Sequence, residues 1–547
     1  MASRVALGFA ILEFSRRAAM KRAAFLFALL IAGFNAACSG GSSTPPPPPP
    51  PLGFSASSLK GQYAFVMTGQ SGADGFLIAR IGTFNADGNG NIQGGTELVS
   101  TATLGLQQLN FSPGTTYTVS SDGRGVINFL NSSGNTIFSI TMTSVSSGFI
   151  SETDNLSSAS GTFELQDSSA FTANAMSGSY VFDNSGFDPG GAPDSIVGQI
   201  AINSGVVQSG VFDENDNATA SGPVSFSGGS LAFSDTTNGL GTLTFNNNNF
   251  QYAFVAVNSK KFHMIEIPGT GSSLPITVGT ANAQTAPPTT NASFTGGFVL
   301  ITAGVGTNSP DFKNARFTTD GNGGLTSSSI ALDEKQLDSS IAQVPKGTLS
   351  AATYAIDTNF PGSGRGTATF KDSSLGTYSF VFYMSSPTQG VIQDNSAGLV
   401  ADGTILAQTG SPFTNGSLAG DFAFNWSGTD DSNTINAPAE EDYVGHVTLT
   451  SAASGNVSGA MNFSDFNSNQ GSVQGSTLGG TLMISGDGTN SSGSRSTYQV
   501  NATNPNGGPS TTFTFTLYPV NANTLFVVSQ DKHHVTGGTF TRQVTPP

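Results

Sequence analysis

The residues best suited to chemistry in this 547-residue chain are acids and amides set beside turns. Asp87, Asn89 and Asn91 alternate oxygen-bearing side chains, the spacing with which a calcium loop turns its ligands toward one ion. A calcium loop of the EF-hand kind starting at Asp87 also needs glycine sixth and glutamate twelfth, where Ile92 and Leu98 stand. The segment therefore reads first as a hairpin turn and only second as a weak calcium site. Asp154, Glu266, Asp394 and Asp531 recur at one place in a repeated unit and are candidates for a binding rim, with turn capping as the alternative. Asp213-Glu214-Asn215-Asp216 and Glu440-Glu441-Asp442 read as solvated loop charge. Of the four histidines (His263, His446, His533, His534), the adjacent pair would face opposite ways on a strand and not chelate one ion. There is no HExxH, Gly-x-Ser-x-Gly, phosphate-loop or dinucleotide glycine pattern, and no recognisable Ser-His-acid arrangement. The reading therefore assigns no catalytic residue, no cofactor and no metal beyond that weak candidate. Trp426, the only tryptophan, would stack a sugar if exposed and belong to a core if buried; the core is preferred.

These residues ride on a unit repeated four times. Its opening phrase places glycine two residues before an aromatic, at Gly61-x-Tyr63, Gly178-x-Tyr180, Gly296-x-Phe298 and Gly420-x-Phe422. Its closing phrase, Gly-Thr-x-x-x-Gln, spans 161–166, 279–284, 403–408 and 538–543. Each closing Gln precedes the next opening Gly by 12 residues, so length varies within units and never between them. The expected domains are 59–167, 176–285, 294–409 and 418–544. Phe138-Ser-Ile140-Thr-Met142 and Phe513-Thr-Phe515-Thr-Leu517 alternate apolar with hydroxyl residues, which is the period of a strand with one buried face. Asp-Gly and Asn-Gly turns separate about eight such strands per unit. The fold predicted is all-β: four tandem antiparallel meanders, each a small up-and-down β-barrel, with an immunoglobulin-like β-sandwich as the alternative. The opening and closing strands of a unit should pair. Junctions of constant length containing Pro287, Pro288 and Pro412 predict a semi-rigid rod or compact stack of domains.

Charged residues are only 10% of the chain, and the formal net charge is −16. Residues 1–37 carry five basic groups and one acid, so the remainder is more acidic still. Without a basic stripe, nucleic-acid binding is disfavoured, and an anionic membrane surface would repel the folded part.

Met20-Lys21-Arg22 followed by the apolar run Ala23–Phe34 has the form of a signal peptide, too short for a membrane span. Residues 1–37 are read as that signal, with Met20 an alternative start. Cys38, the sole cysteine, follows Asn35-Ala36-Ala37, an arrangement that resembles the lipobox of bacterial lipoproteins. The resemblance implies lipidation at Cys38, although Asn35 departs from the usual aliphatic residue. Residues 38–58, with Pro45–Pro51 at their centre, read as an anchor and a polyproline tether. The Ala-Asp-Gly-Asn-Gly turn at 86–90 and Asp-Gly-Arg-Gly turn at 122–125 resemble those of tandem-repeat lipoproteins of Gram-negative soil bacteria. That resemblance implies export and repetition and brings no catalytic role.

The expectation is a non-enzymatic, lipid-anchored protein of the cell envelope, facing the cell surface or periplasm, whose β-domains serve adhesion or binding, with glycans or other envelope components as partners. Secretion without an anchor is the alternative location. The alternative functions are a carrier of a small apolar ligand inside the barrels and, last, a hydrolase of envelope polymers.

Overall fold

Alternation of apolar and polar residues, punctuated by Gly/Asn/Asp turns, folds each unit into one antiparallel sheet whose neighbours are successive strands. A computed structural model describes residues 53–546 apart from 73–74, 133, 270–275, 307–308, 327–329, 337–348, 373–375, 433–438, 453–454, 467–470, 485–494 and 506–509. The signal, Cys38 and the proline run lie outside the described residues.

Unit 4 is a closed barrel of eight strands, from Gly420–Asp430 to His534–Arg542, in which the first strand pairs with the last. Unit 2 closes in the same way, with Val206–Asp216 pairing both to Pro193–Asn203 and, by one register position, to Gly229–Asp235; its ninth strand, Thr219–Phe226, lies outside that ring. Units 1 and 3 are curved sheets of nine and eight strands whose outermost strands, among the described residues, do not pair with each other. An isolated bridge spans that gap in each, Asn91 with Thr116 in unit 1 and Gly324 with Thr353 in unit 3. The meander order excludes the immunoglobulin-like sandwich, which needs strands to cross between two sheets.

The first and last strands pair in all four units. The closing-phrase glycine is required at this crossing. A Cβ on Gly161, Gly279, Gly403 or Gly538 would stand 1.9, 1.8, 2.0 or 2.1 Å from a carbonyl oxygen of the opening strand. The concave faces are filled by aromatic rings. Phe65, Phe84, Phe129 and Phe138 pack in unit 1, and Phe182, Phe245, Tyr252 and Phe254 in unit 2. Phe298, Phe317, Phe370 and Phe380 do so in unit 3, while Trp426 is fully buried in unit 4 against Phe424 (4.2 Å) and Phe515 (4.7 Å). Trp426 is therefore core and offers no sugar platform.

The units do not extend as a rod. They close into a ring in the order 1-2-3-4-1, and the clamp is the closing-phrase glutamine. Gln166 donates its side-chain amide to the carbonyls of Asn238 (3.1 Å) and Ala256 (2.6 Å), and Gln284 to those of Ser363 (2.7 Å) and Met384 (3.0 Å). Gln408 donates to Pro519 (2.6 Å), and Gln543 to Asp122 (2.9 Å) and Met142 (2.8 Å) back in unit 1. The next backbone N–H makes the same step at every junction: Asp167 to Val257, Thr285 to Ser385, Thr409 to Val520 and Val544 to Thr143.

Outward faces meet across these junctions, and equivalent register positions carry different chemistry. Between units 2 and 3, Arg365 pairs with Asp213 (2.7 Å), which also accepts from the Tyr383 hydroxyl (2.6 Å). Between units 3 and 4, Arg495, Asp333 and Tyr518 repeat this triad. Between units 1 and 2 the same places hold Leu98, Leu240 and Val255, in a wholly apolar contact. Such differences favour one cyclic order of units over others, because mispairing would bury an unmatched charge.

Candidate functional site

The strand pleat sends alternate residues inward, and at one end of each unit the inward series changes from aromatic to charged. In unit 1, Arg80 reaches Glu97 (2.7 Å) and Glu152 (3.1 Å), all three buried. In unit 3, fully buried Lys313 contacts Asp311, Glu334 (2.9 Å) and Asp394 (3.1 Å). Burial opposes the ammonium charge, but Asp311, Asp394 and Glu334 outweigh it and hold the lysine well above its usual range. In unit 4, His534 Nδ1 lies 2.8 Å from Glu441 and 3.8 Å from Asp430. Burial again opposes the charge, but Glu441, Asp430 and Asp531 push the imidazole pKa up to about 10. Each of these cations is an internal counter-ion to the surrounding carboxylates. Unit 2 has the acids Asp194, Glu214 and Glu266 at this end and no cation among them.

The ends of the opening strands surround a cleft of about 280 Å³ on the ring axis, lined by all four units. Thr68, Ser185 and Ser427 contribute hydroxyls, and Asp194, Asp402 and Glu440 contribute carboxyls; among the described residues no Lys, Arg or His lines it. Burial, followed by the nearby Asp183, pushes the Asp402 pKa up to about 7. Burial, with Asp442 and Glu441 adding, holds Glu440 well above the usual carboxylate range. The centre of the ring is acidic.

The sequence-predicted sites distribute unevenly. Glu266 and Asp394 occupy one register position, opposite Tyr252 and Phe380, and face inward. Their counterparts are Glu152, opposite Phe138, and Ser529, opposite Phe515. Asp154 and Asp531 lie two residues further on; Asp154 caps a turn, and both take an N–H of the neighbouring strand. Asp154 accepts from the N–H groups of Ile137 and Leu156, and Asp531 from that of Thr514. The four acids thus form no common rim. At the calcium-like segment, Asp87 takes the backbone N–H groups of Asn89 (2.6 Å) and Asn91 (3.1 Å) and the Asn91 amide (2.9 Å), so its oxygens are engaged within the hairpin. His533 and His534 do separate, to Asp431 and Glu441.

The acid runs read as solvated loops lie on strands, and most of their acids are buried or half-buried. Glu440, Glu441 and Asp442 sit on the strand Ala439–Leu449, with Glu441 and Asp442 fully buried. Asp213 to Asp216 sit on Val206–Asp216, with Asp213 and Asn215 buried against unit 3. Alternate acids enter the barrel or a neighbouring unit, while Glu214 and Glu440 are half-buried and Asp216, at its strand end, stays exposed. Arg80, Lys313 and Glu152 carried no motif; the signal that could have found them is a charged residue in an inward register of an otherwise apolar alternation.

No family model matches the chain, and no curated protein matches it. Among solved structures it is similar to the crystal structure of a point variant of transferrin binding protein B, a vaccine antigen of Haemophilus parasuis Hp5. Identity is 9% over 72% of this chain and 81% of that one, with a TM-score of 0.18, a likeness that carries no argument about function.

Proposed function

We propose that this protein is an exported, non-enzymatic, lipid-anchored envelope protein that presents its four units as one rigid binding body. The observation that carries this reading is the glutamine-clamped ring, which turns four small domains into a single body around an acid-lined cleft. Leu52–Pro547 form one compact unit, suited to display from the Cys38 anchor on the proline tether. Hydroxyl- and amide-rich outer strands favour polar partners such as glycans. The apolar-carrier reading loses ground because aromatic side chains fill the concave faces. The hydrolase reading loses Asp154 and Asp531 to backbone N–H groups of neighbouring strands, while Asp394 is tied to Lys313.

The test is metabolic labelling with radioactive palmitate, followed by antibody binding to intact and permeabilised cells. Label that disappears in Cys38→Ser, with antibody bound to intact cells, supports a surface-displayed lipoprotein. An unlabelled wild type recovered from the medium overturns the anchor, and signal only after permeabilisation moves display to the periplasm.

A further inference from the structure

We propose that a cavity between units 2 and 3 binds a small molecule built on an imidazole-type ring, which takes the place that a side-chain ring fills at the other three junctions. The proposal does not rest on the lipoprotein reading above.

The cavity arises at one register position. On the strand before the closing strand, the residue opposite the closing-phrase threonine meets the preceding unit. It is Phe149 opposite Thr162, His263 opposite Thr280, Val391 opposite Thr404 and Phe526 opposite Thr539. Phe149 packs with Ala423 of unit 4, His263 reaches Glu164 of unit 1, and Phe526 packs with Val299 of unit 3. All three rings are buried. Val391, which packs with Val181 of unit 2, is the exception: a short branched side chain stands where its counterparts carry a ring. Beside it is a space of about 250 Å³ lined by both units. That is just below the roughly 300–1,000 Å³ of pockets for drug-sized ligands, so the guest is small.

The facing wall changes at the same junction. The opening-strand residue opposite the same threonine is Val66, Asp183, Ile301 and Asn425 in units 1 to 4. Unit 2 alone has a carboxyl there, and it lines the cavity. Asp183 Oδ1 accepts the Thr280 N–H at 3.2 Å, which holds the group on the wall. Asn282, Gln389 and Thr404 add two amides and a hydroxyl. The lost ring and the gained carboxyl coincide, and a purely apolar guest would leave these polar groups unpaired.

His263 shows how a nitrogen ring sits at this register. Its Nδ1 lies 3.0 Å from Thr280 Oγ1 and its Nε2 3.6 Å from the Glu164 carboxylate. At the next junction Thr404 occupies the place of Thr280, and Asn282 that of Glu164. A free ring of the same kind donates one N–H to Asp183 and turns its other nitrogen to the Thr404 hydroxyl or the Asn282 amide. Lys261 also lines the cavity, but its ammonium is paired with Glu164 at 2.6 Å, so its charge is already compensated. Space beside the exposed Gln389 admits a short side arm on the ring.

The test is a ligand-observed NMR titration of the purified full chain at pH 7.5, with imidazole, benzene and glucose as separate probes. The expected result is saturable imidazole binding with Kd on the order of 1 mM, and weaker binding of the other two. Val391→Phe, which supplies the ring found in units 1 and 4, should abolish binding. Asp183→Asn keeps the shape of the wall and should weaken imidazole at least tenfold; thermal unfolding checks that each variant is folded. If Val391→Phe does not fold, the isosteric variant decides alone. No saturation with imidazole at about 20 mM, undiminished binding in folded Asp183→Asn, or tighter binding of benzene or glucose than of imidazole would each overturn the proposal.

Discussion

The side-chain amide of Gln543 donates to the carbonyl oxygen of Asp122 at 2.9 Å, across 421 residues of sequence. It is the fourth copy of a contact that three earlier glutamines make to the unit following their own. The last copy turns back to the first unit and closes the ring.

Gln543→Ala should therefore loosen one junction and leave the sheet of every unit intact. Two hydrogen bonds to carbonyls are lost, at a cost of about 1–3 kcal/mol. Hydrogen exchange should rise at Val544, whose N–H bonds Thr143, while the Gln166 junction stays protected. Uniform exchange in both proteins would mean that the ring does not close through this contact.

Gly279→Ala is expected to be among the most damaging single-methyl additions. Its Cβ would meet the Asp183 carbonyl oxygen at 1.8 Å, in backbone that cannot yield without breaking the strand pair that closes barrel 2. A loss of about 3 kcal/mol or more is expected in urea unfolding. A neutral result would show that the first and last strands do not cross so closely.

Charge at the ring interfaces should be exchangeable only as a set. Arg365→Leu alone leaves Asp213 buried without its ion-pair partner and should cost about 3–5 kcal/mol. Adding Asp213→Leu and Tyr383→Val reproduces the Leu98, Leu240 and Val255 contact between units 1 and 2, and should recover most of that loss. Thermal unfolding of the single and triple variants decides; a triple variant no better than the single one would contradict the equivalence.

The buried imidazolium predicts an alkaline limb in the stability curve. His534 has a folded pKa of about 10 against 6.5 unfolded, so its contribution is complete below pH 6.5. It falls by about 1.4 kcal/mol per pH unit as pH rises, and is gone above about 10. The groups facing the ring are Glu441, Asp430 and Asp531, with the Phe513 ring 5.5 Å away. Urea unfolding of His534→Gln between pH 6 and 10 should lack this decline. A variant that follows wild type throughout would place the proton elsewhere.

Local order was legible in the chain, because hairpin turns and period-two alternation are set by neighbours in sequence. Strand identity, meander order, pairing of the opening and closing phrases, and the aromatic cores all follow from that alternation and from the glycines that let strands cross. The Gly-Thr-x-x-x-Gln phrase marked the unit, but its glutamine could not reveal a partner that lies on another unit. Acid runs such as Glu440 to Asp442 looked solvated because a strand with one apolar face normally leaves the other wet. Ring closure covers that second face too, so Asp442 meets Ser158 of unit 1 while Glu441 enters the barrel beside His534. Which carboxylates acquire a cation, and which in barrel 2 do not, is decided by residues brought together only when the sheets curl and the ring closes.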